Sequence, residues 1–150
     1  MDRVIKVKAF AVLLNASRSK HLVWVGGDET KQPATFHRLL GGHVEFGEPA
    51  ADAVVREIAE ELHAELAQVT LLGVIENVFT YAGAPGHEVV FVYAATVDDG
   101  VVPEEGGWFD DGGPIRVEWR SVDVHTDIPL YPDGTQALID DWISDRVAAG

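Results

Sequence analysis

The segment 42–62, GHVEFGEPAADAVVREIAEEL, constrains the fold of this chain more than any other part of the sequence. From Pro49 onward it contains no glycine, and its apolar residues recur at helical spacing. Proline suits the first turn of a helix, because the N–H group that it lacks has no helical partner there. The segment therefore predicts a helix from about Pro49 to Leu62.

Three carboxylates of this predicted helix share one narrow stripe. At about 100° per residue, Glu60 lies about 60° to one side of Glu57, and Glu61 lies about 40° to the other. Like charges at this spacing repel each other, so the stripe is either a solvated acidic surface or a site for hard divalent cations. The opposite face is predicted to pack on a sheet and consists of Ala51, Val55, Ile58 and Leu62.

Strand-like segments precede and follow this helix and predict a mixed sheet. They are apolar, rich in β-branched residues and bounded by turn-forming residues, as is typical of strands. A closing helix is predicted at Thr135 to Val147, and Asp98 to Pro114 is predicted to be a loop rich in glycine and acidic residues. Together these elements predict one domain over residues 1–150, of α/β (α+β) class, with its sheet between helices. The predicted strands are Ile5 to Asn15, His21 to Val25, Phe36 to Leu40 (ending at Gly41–Gly42), Val69 to Tyr81, Glu88 to Val97 and Ile115 to Val122.

The charge balance excludes several classes of function. The 150 residues include 11 Lys and Arg against 25 Asp and Glu, a formal net charge of −14 that disfavours binding to nucleic acid. A small phosphorylated ligand can still bind if divalent cations stand between it and the carboxylates. The sequence has no cysteine, no apolar run of the ~20 residues that span a membrane and no signal-peptide pattern, so we expect a cytoplasmic protein without a thiol nucleophile.

The residues around the helix complete a longer pattern: Gly42, five residues, Glu48, seven residues, Arg56-Glu57, two residues, then Glu60-Glu61. This pattern resembles the Nudix box of hydrolases that act on a nucleoside diphosphate linked to another moiety. Its six fixed positions would occur together by chance on the order of once in 10⁵ such chains. Segments outside the box, among them Glu76-Asn77-Val78-Phe79 and Leu130-Tyr131-Pro132, are similar to a bacterial subgroup of the family without a settled substrate. The sequence departs from the pattern at His63, where the family usually has a glycine that ends the helix.

The resemblance implies a Nudix-like α/β/α sandwich and a pyrophosphohydrolase that depends on Mg²⁺ or Mn²⁺. A water molecule would attack phosphorus in a nucleotide-type substrate, with cations lowering the pKa of that water. Glu57 or Glu60 would assist as the base, and residue types alone leave this choice open. The residues that the resemblance assigns to metal binding are Glu57, Glu60, Glu61 and the carbonyl of Gly41, while Arg56 would pair with Glu48 and orient Glu57.

Three further residues are candidates outside the helix. Arg38, just before the double glycine, can contact a phosphate or serve only on the surface. Trp108 can stack on a nucleobase or cover the core. The family often takes one more acidic residue from a loop after the box, for which Glu105 is the first choice and Glu104 the second. The alternative for these two is a solvated acidic loop tip.

A second class of function stays open beside the hydrolase. The chain would then be a non-catalytic, nucleotide-binding regulatory module that keeps the fold. The complete set of box residues argues against this class, and against an isomerase of the same superfamily, because loss of catalysis usually permits loss of some ligand. The expected partner is a small nucleotide-type molecule, with no nucleic acid and no membrane, and a homodimer is left open.

Overall fold

The computed structural model describes residues 3–110 and 112–149 and contains a mixed sheet with a helix on each face. Neither helix is long and apolar enough to cross a membrane. The helices are α1, Ala50–Leu62, and α2, Thr135–Ala149. The strands are β1, Lys6–Leu14; β2, Lys20–Gly27; β3, Thr35–Arg38; β4, Leu40–His43; β5, Ala67–Tyr81; β6, Ala84–Thr96; β7, Gly107–Asp110; β8, Pro114–Ser121; and β9, Leu130–Tyr131.

Strand β1 organises the sheet. It runs parallel to β6 and antiparallel to both β2 and β4. The long hairpin of β5 and β6 forms one edge, and β2 continues the sheet through β3 to the short parallel strand β9. The hairpin of β7 and β8 joins the sheet where β8 pairs with β2. The last strand of this order, β9, does not pair with the first, β5, so the sheet is open rather than closed into a barrel.

Two hydrophobic cores lie on the two faces of the sheet, and alternate residues of β1 enter opposite cores. Ile58 of α1 is fully buried in one core, and Ile139 of α2 is fully buried in the other. This arrangement confirms the predicted α/β/α sandwich with a mixed sheet. The residues of β1 on the α1 side are Ala9, Ala11 and Leu13, and those on the α2 side are Phe10, Val12 and Leu14.

The prediction that a strand ends at Gly41–Gly42 was wrong. Both glycines lie inside β4, where Gly41 is opposite Phe10 and Gly42 is opposite Ala9. Gly41 has a φ of 143°, and a Cβ there would collide with the backbone carbonyl of Ala9. Glycine is therefore required for the close approach of β4 to β1.

The prediction of a loop from Asp98 to Pro114 was wrong at Gly107–Asp110 and at Pro114, where β8 begins. Gly107–Asp110 forms β7, with Phe109 opposite Ile115 of β8. The glycines and acidic residues of this segment concealed an aromatic pair ahead of β8. Asp111 lies outside the described residues. The rest of the loop is anchored, since Trp119 Nε1 donates a hydrogen bond to the carbonyl of Pro103 at 3.1 Å.

Helix α1 ends with the backbone geometry for which the resembled pattern usually has glycine. His63 has φ 53° and ψ 40°, in the left-handed region, and its N–H donates to the carbonyl of Ala59 at 3.0 Å. A side chain at this position costs about 1 kcal/mol relative to glycine. The departure at His63 therefore leaves the end of the helix unchanged but adds backbone strain.

We predict that His63→Gly stabilises the protein by about 1 kcal/mol, or ~3 °C in the unfolding midpoint, because it removes this strain. His63→Ala is the matched control, since alanine has the same Cβ and should give no increase. Thermal unfolding followed by circular dichroism measures both variants. An equal rise in the two would show that the histidine side chain, and not its backbone conformation, is unfavourable.

Candidate active site

The three carboxylates of α1 lie in three different environments. Glu61 is only 2% exposed, the Glu57 side chain is 15% exposed, and the Glu60 side chain is 59% exposed. The predicted division of the helix into an acidic and an aliphatic face was therefore wrong in part. Ala51 and Val55 face solvent, whereas the buried residues of α1 are Ala53, Val54, Ile58, Glu61 and Leu62.

The helix turns its carboxylate edge inward because β4 offers no side chain at its glycines. A Cβ placed on Gly42 would overlap the carboxylate carbon of Glu57 and lie 2.6 Å from its Oε1 atom. The carboxylate of Glu57 thus packs directly against the backbone of β4. Only glycine at position 42 allows this contact.

Arg56 connects the carboxylates of this region through its guanidinium group. Glu48 accepts two hydrogen bonds, from Nε at 2.8 Å and from Nη2 at 3.0 Å. Nη1 donates to Glu57 Oε1 at 3.0 Å and to Glu60 Oε1 at 3.3 Å. Nη2 also reaches the carbonyl of His43 at 3.0 Å. One side chain therefore fixes the loop before α1, the end of β4 and two carboxylates of the helix.

These bonds also set the ionisation of the region. The hydrogen bonds from Arg56 hold the pKa of the Glu48 carboxyl below its ordinary value of 4.5. In return, the bonds to Glu48 above all, and also those to Glu60 and Glu57, raise the pKa of Arg56. Both partners of the Arg56–Glu48 pair therefore stay charged at neutral pH.

The donor chemistry of this region fits a hard divalent cation. Carboxylates and a backbone carbonyl are the oxygen ligands that Mg²⁺ prefers, and the space above Gly42 that a Cβ would fill holds a carboxylate. Within residues 3–110 and 112–149, however, no three acidic or histidine side chains are grouped closely enough to hold an ion. The side chains of Glu57 and Glu60 instead point to Arg56.

A cavity of about 440 Å³ opens beside Arg38. Its walls combine aromatic rings with a few polar groups, as small-molecule sites do. Phe36 lies at the centre of the aromatic wall, with its ring centroid 5.6 Å from Trp24 and 5.3 Å from Tyr131. The other polar residues at this cavity are Lys31, Asn77, Thr80, Glu88 and Asp133.

Arg38 lines this cavity and is held there by aromatic rings. Its guanidinium carbon lies 4.7 Å from the ring centroid of Trp24 and 5.3 Å from that of Phe10. Its Nε donates to the carbonyl of Leu39 at 3.2 Å. These contacts keep a positive charge at the cavity wall, and only Leu39 separates Arg38 from the start of β4.

Trp108 and Glu105 lie away from this cavity. Trp108 is 68% exposed on β7 and is not among the residues that line the cavity. Glu105 has an exposed side chain just before β7, and its backbone carbonyl accepts a hydrogen bond from Arg116 Nη2 at 2.7 Å. Strand β7 contacts α1, so Glu105 is adjacent to an element that packs on the carboxylate helix.

Apart from Arg38, sequence reasoning missed the residues of the cavity, because they come from six separate strands. Trp24, Phe36 and Tyr131 lie far apart in the chain, and each reads as an ordinary strand residue. Leu130-Tyr131-Pro132 and Glu76-Asn77-Val78-Phe79 stand out in the sequence as family-like segments, but nothing in their composition gives them a role. Only the pairing of β2, β3 and β9 reveals their common position.

Comparison with known proteins identifies the family. The sequence profile of the NUDIX domain matches residues 5–138. A MutT NUDIX hydrolase from Burkholderia pseudomallei is 23% identical, with a TM-score of 0.59 over 92% of this chain and 98% of that chain. A NUDIX hydrolase from Nitrosomonas europaea is 22% identical, with a TM-score of 0.61 over 95% of this chain and 90% of that chain. The mutator MutT protein from Bacillus halodurans is 17% identical, with a TM-score of 0.60 over 91% and 80%.

At these identities the solved structures show that the chain has the fold of this class of hydrolases. Because the domain profile matches most of the chain, the chain belongs to the Nudix hydrolase family. Its activity in general terms is the hydrolysis of a pyrophosphate bond.

The Arg56–Glu48 pair predicts a pH dependence of stability. A carboxyl whose folded-state pKa lies below its unfolded value stabilises the protein above the unfolded pKa, and this stabilisation is lost as the pH falls. We therefore expect the unfolding midpoint of the wild type to lie above that of Glu48→Gln at pH 6. The difference between the two midpoints should shrink as the pH falls below the ordinary carboxyl pKa of 4.5. Glu65→Gln, at an exposed residue, is the control. A difference that stays constant from pH 6 to pH 3 would contradict the prediction.

Proposed function

We propose that this chain hydrolyses a phosphoanhydride bond in a nucleoside diphosphate-linked substrate by attack of water on phosphorus, with Mg²⁺ or Mn²⁺ as cofactor. The observation that carries the proposal is the contact between Gly42 and Glu57. The Glu57 carboxylate is held by Arg56 and packs so closely on the backbone that no Cβ fits at position 42. Packing a charged group this closely is unfavourable for a helix with only a structural role. It supports a role for Glu57 in the reaction.

The residues proposed to hold the cofactor are Glu57, Glu60, Glu61 and the carbonyl of Gly41. A bound divalent cation would polarise the phosphate oxygens and lower the pKa of the attacking water. Arg56 balances the charges of Glu57 and Glu60, and it orients both side chains. Glu57 or Glu60 accepts the proton of the attacking water.

The aromatic cavity is the proposed site for the nucleoside part of the substrate. Trp24, Phe36 and Tyr131 offer ring surfaces on which a base can stack, a contact worth ~1–3 kcal/mol per base. Arg38 stands at the wall of the same cavity and is suited to bind the negative charge of a phosphate. Trp108 remains a second candidate for base stacking, from the exposed face of β7.

One observation favours the alternative, a non-catalytic nucleotide-binding module. In the part of the chain that the structure describes, no three-ligand group is formed, and Arg56 stands where the Glu57 and Glu60 side chains meet. Binding without hydrolysis needs the cavity and Arg38 but not the carboxylates. The two functions therefore differ in their dependence on Glu57 and Glu61.

The deciding experiment incubates the purified protein with Mg²⁺ and a panel of oxidised nucleoside triphosphates, sugar nucleotides and dinucleoside polyphosphates. Released phosphate is assayed with and without added pyrophosphatase. We expect Glu57→Gln and Glu61→Gln to lower turnover by a factor of 10² or more, because each loses a cation ligand. Glu65→Gln, at the exposed residue just past α1, is the matched control and should keep wild-type turnover.

Metal binding gives a second readout of the same proposal. Ions that bind only the folded state raise the unfolding midpoint by mass action. Millimolar Mg²⁺ or Mn²⁺ should stabilise the wild type, and the Glu57→Gln, Glu60→Gln double variant should lose this response. Nucleotide binding without turnover or a response to metal would instead support the regulatory module.

Glu105 is proposed as the additional carboxylate of the reaction. We predict that Glu105→Gln lowers kcat more than it raises KM, as expected for a group that acts mainly in the transition state. Glu104→Gln, one residue away in the same exposed turn, tests the second choice and should leave kcat closer to the wild-type value. Equal kinetics of the two variants and the wild type would remove this loop from catalysis.

A further inference from the structure

A second cavity, of about 360 Å³, lies on the far side of β9 from the aromatic cavity. Its wall is formed by the end of β8, the segment 125–130 and the first turn of α2, with Arg120 and Gln136 among its residues. Asp133 is the one residue that lines both cavities among those the structure describes. Neither the Nudix box nor the proposed hydrolysis uses this second cavity.

Arg120 brings a buried positive charge to this cavity. The residue is only 6% exposed, and burial lowers the pKa of its guanidinium below the ordinary value. Nη1 donates to the carbonyl of Ile128 at 2.9 Å and lies 3.1 Å from Nδ1 of His37. Neither of these partners carries a negative charge that would compensate the guanidinium.

The remaining nitrogens of Arg120 have no partner among the described residues. Nε is enclosed by protein without an acceptor. Nη2 also makes no hydrogen bond to any described residue. Unlike Nε, Nη2 is accessible to solvent. No carboxylate of residues 3–110 or 112–149 lies within ion-pairing distance of Arg120. A buried guanidinium without a counter-ion is destabilising, so the cavity favours an anion.

The first turn of α2 adds further donors to the same cavity. The N–H groups of Gln136 and Ala137 have no acceptor in the described chain, and both residues line the cavity. These N–H groups carry the positive end of the helix dipole. Asp140, on the next turn, is engaged elsewhere, since it accepts a hydrogen bond from Gln136 Nε2 at 3.0 Å and lies 3.4 Å from His125 Nε2.

We propose that this cavity is a binding site for free inorganic phosphate, held between Arg120 Nη2 and the N-terminus of α2. A tetrahedral oxyanion can accept hydrogen bonds from the guanidinium and from backbone N–H groups together. A free anion fits better than a nucleotide, because no Phe, Tyr or Trp among the described residues lines the cavity to stack on a base. The proposal does not depend on the hydrolytic reaction.

Thermal unfolding in increasing sodium phosphate tests the site, with sodium chloride at equal ionic strength as reference. Binding to the folded state raises the midpoint in proportion to the logarithm of the phosphate concentration above its Kd. Phosphate also stabilises proteins generally by exclusion from their surface, but this effect is the same in every variant. The measured quantity is therefore the difference in response between variants.

Two variants remove the site in different ways. Arg120→Met removes the guanidinium and keeps much of the apolar volume of the side chain. Ala137→Glu adds a negative charge to the exposed first turn of α2, a place where acidic residues stabilise helices, so this variant should fold. Ser144→Glu, also exposed on α2 but two turns further on, is the control for the added charge. Arg38→Met removes any phosphate bound at the aromatic cavity, so the response that this variant retains belongs to the second cavity.

We expect Ser144→Glu to keep the wild-type phosphate response, and Arg120→Met and Ala137→Glu to lose the part of that response that Arg38→Met retains. If Arg120→Met does not fold, the comparison of Ala137→Glu with Ser144→Glu decides alone. Equal responses in those two variants would overturn the proposal. A response lost only in Arg38→Met would also overturn it, by assigning the phosphate to the aromatic cavity.

Discussion

The guanidinium of Arg56 is the interaction on which the candidate active site depends. Glu48, Glu57, Glu60 and the carbonyl of His43 all accept hydrogen bonds from it. Without this charge, several carboxylates would lie within one helical turn and repel each other. Arg56 therefore offsets the repulsion among the carboxylates of α1. It also joins this helix to β4 and to the loop between them.

That arrangement is possible only because two residues of β4 lack side chains. Gly41 allows the strand to approach β1, and Gly42 allows the Glu57 carboxylate to lie on the strand backbone. Glu61, on the same helix, lies in the protein interior, where it is 2% exposed. Burial of a carboxylate is unfavourable for stability alone, and such groups concentrate at functional sites.

The local part of this site was predictable from the sequence, and the non-local part was not. The Glu48–Arg56 pattern and the double glycine lie within one short segment, so their spacing is visible directly. The burial of Glu61 was not predictable, because a helical wheel describes the helix but not the surface on which it packs. The α/β/α fold followed from the order of strands and helices, whereas β7 was hidden by its glycine-rich, acidic surroundings.

Strand β3 shows how the sheet separates the two anion-binding regions that we propose. Side chains of neighbouring strand residues point to opposite faces, so Arg38 and His37 diverge. Arg38 lines the aromatic cavity, while His37 contacts Arg120 at the second cavity. Strand β9 pairs with both residues, through Tyr131 and Leu130 respectively. In a chain of net charge −14, the guanidinium groups of Arg38 and Arg120 concentrate positive charge on the two faces of β3 and β9. Because β9 contributes to the walls of both cavities, a shift of this strand would change both.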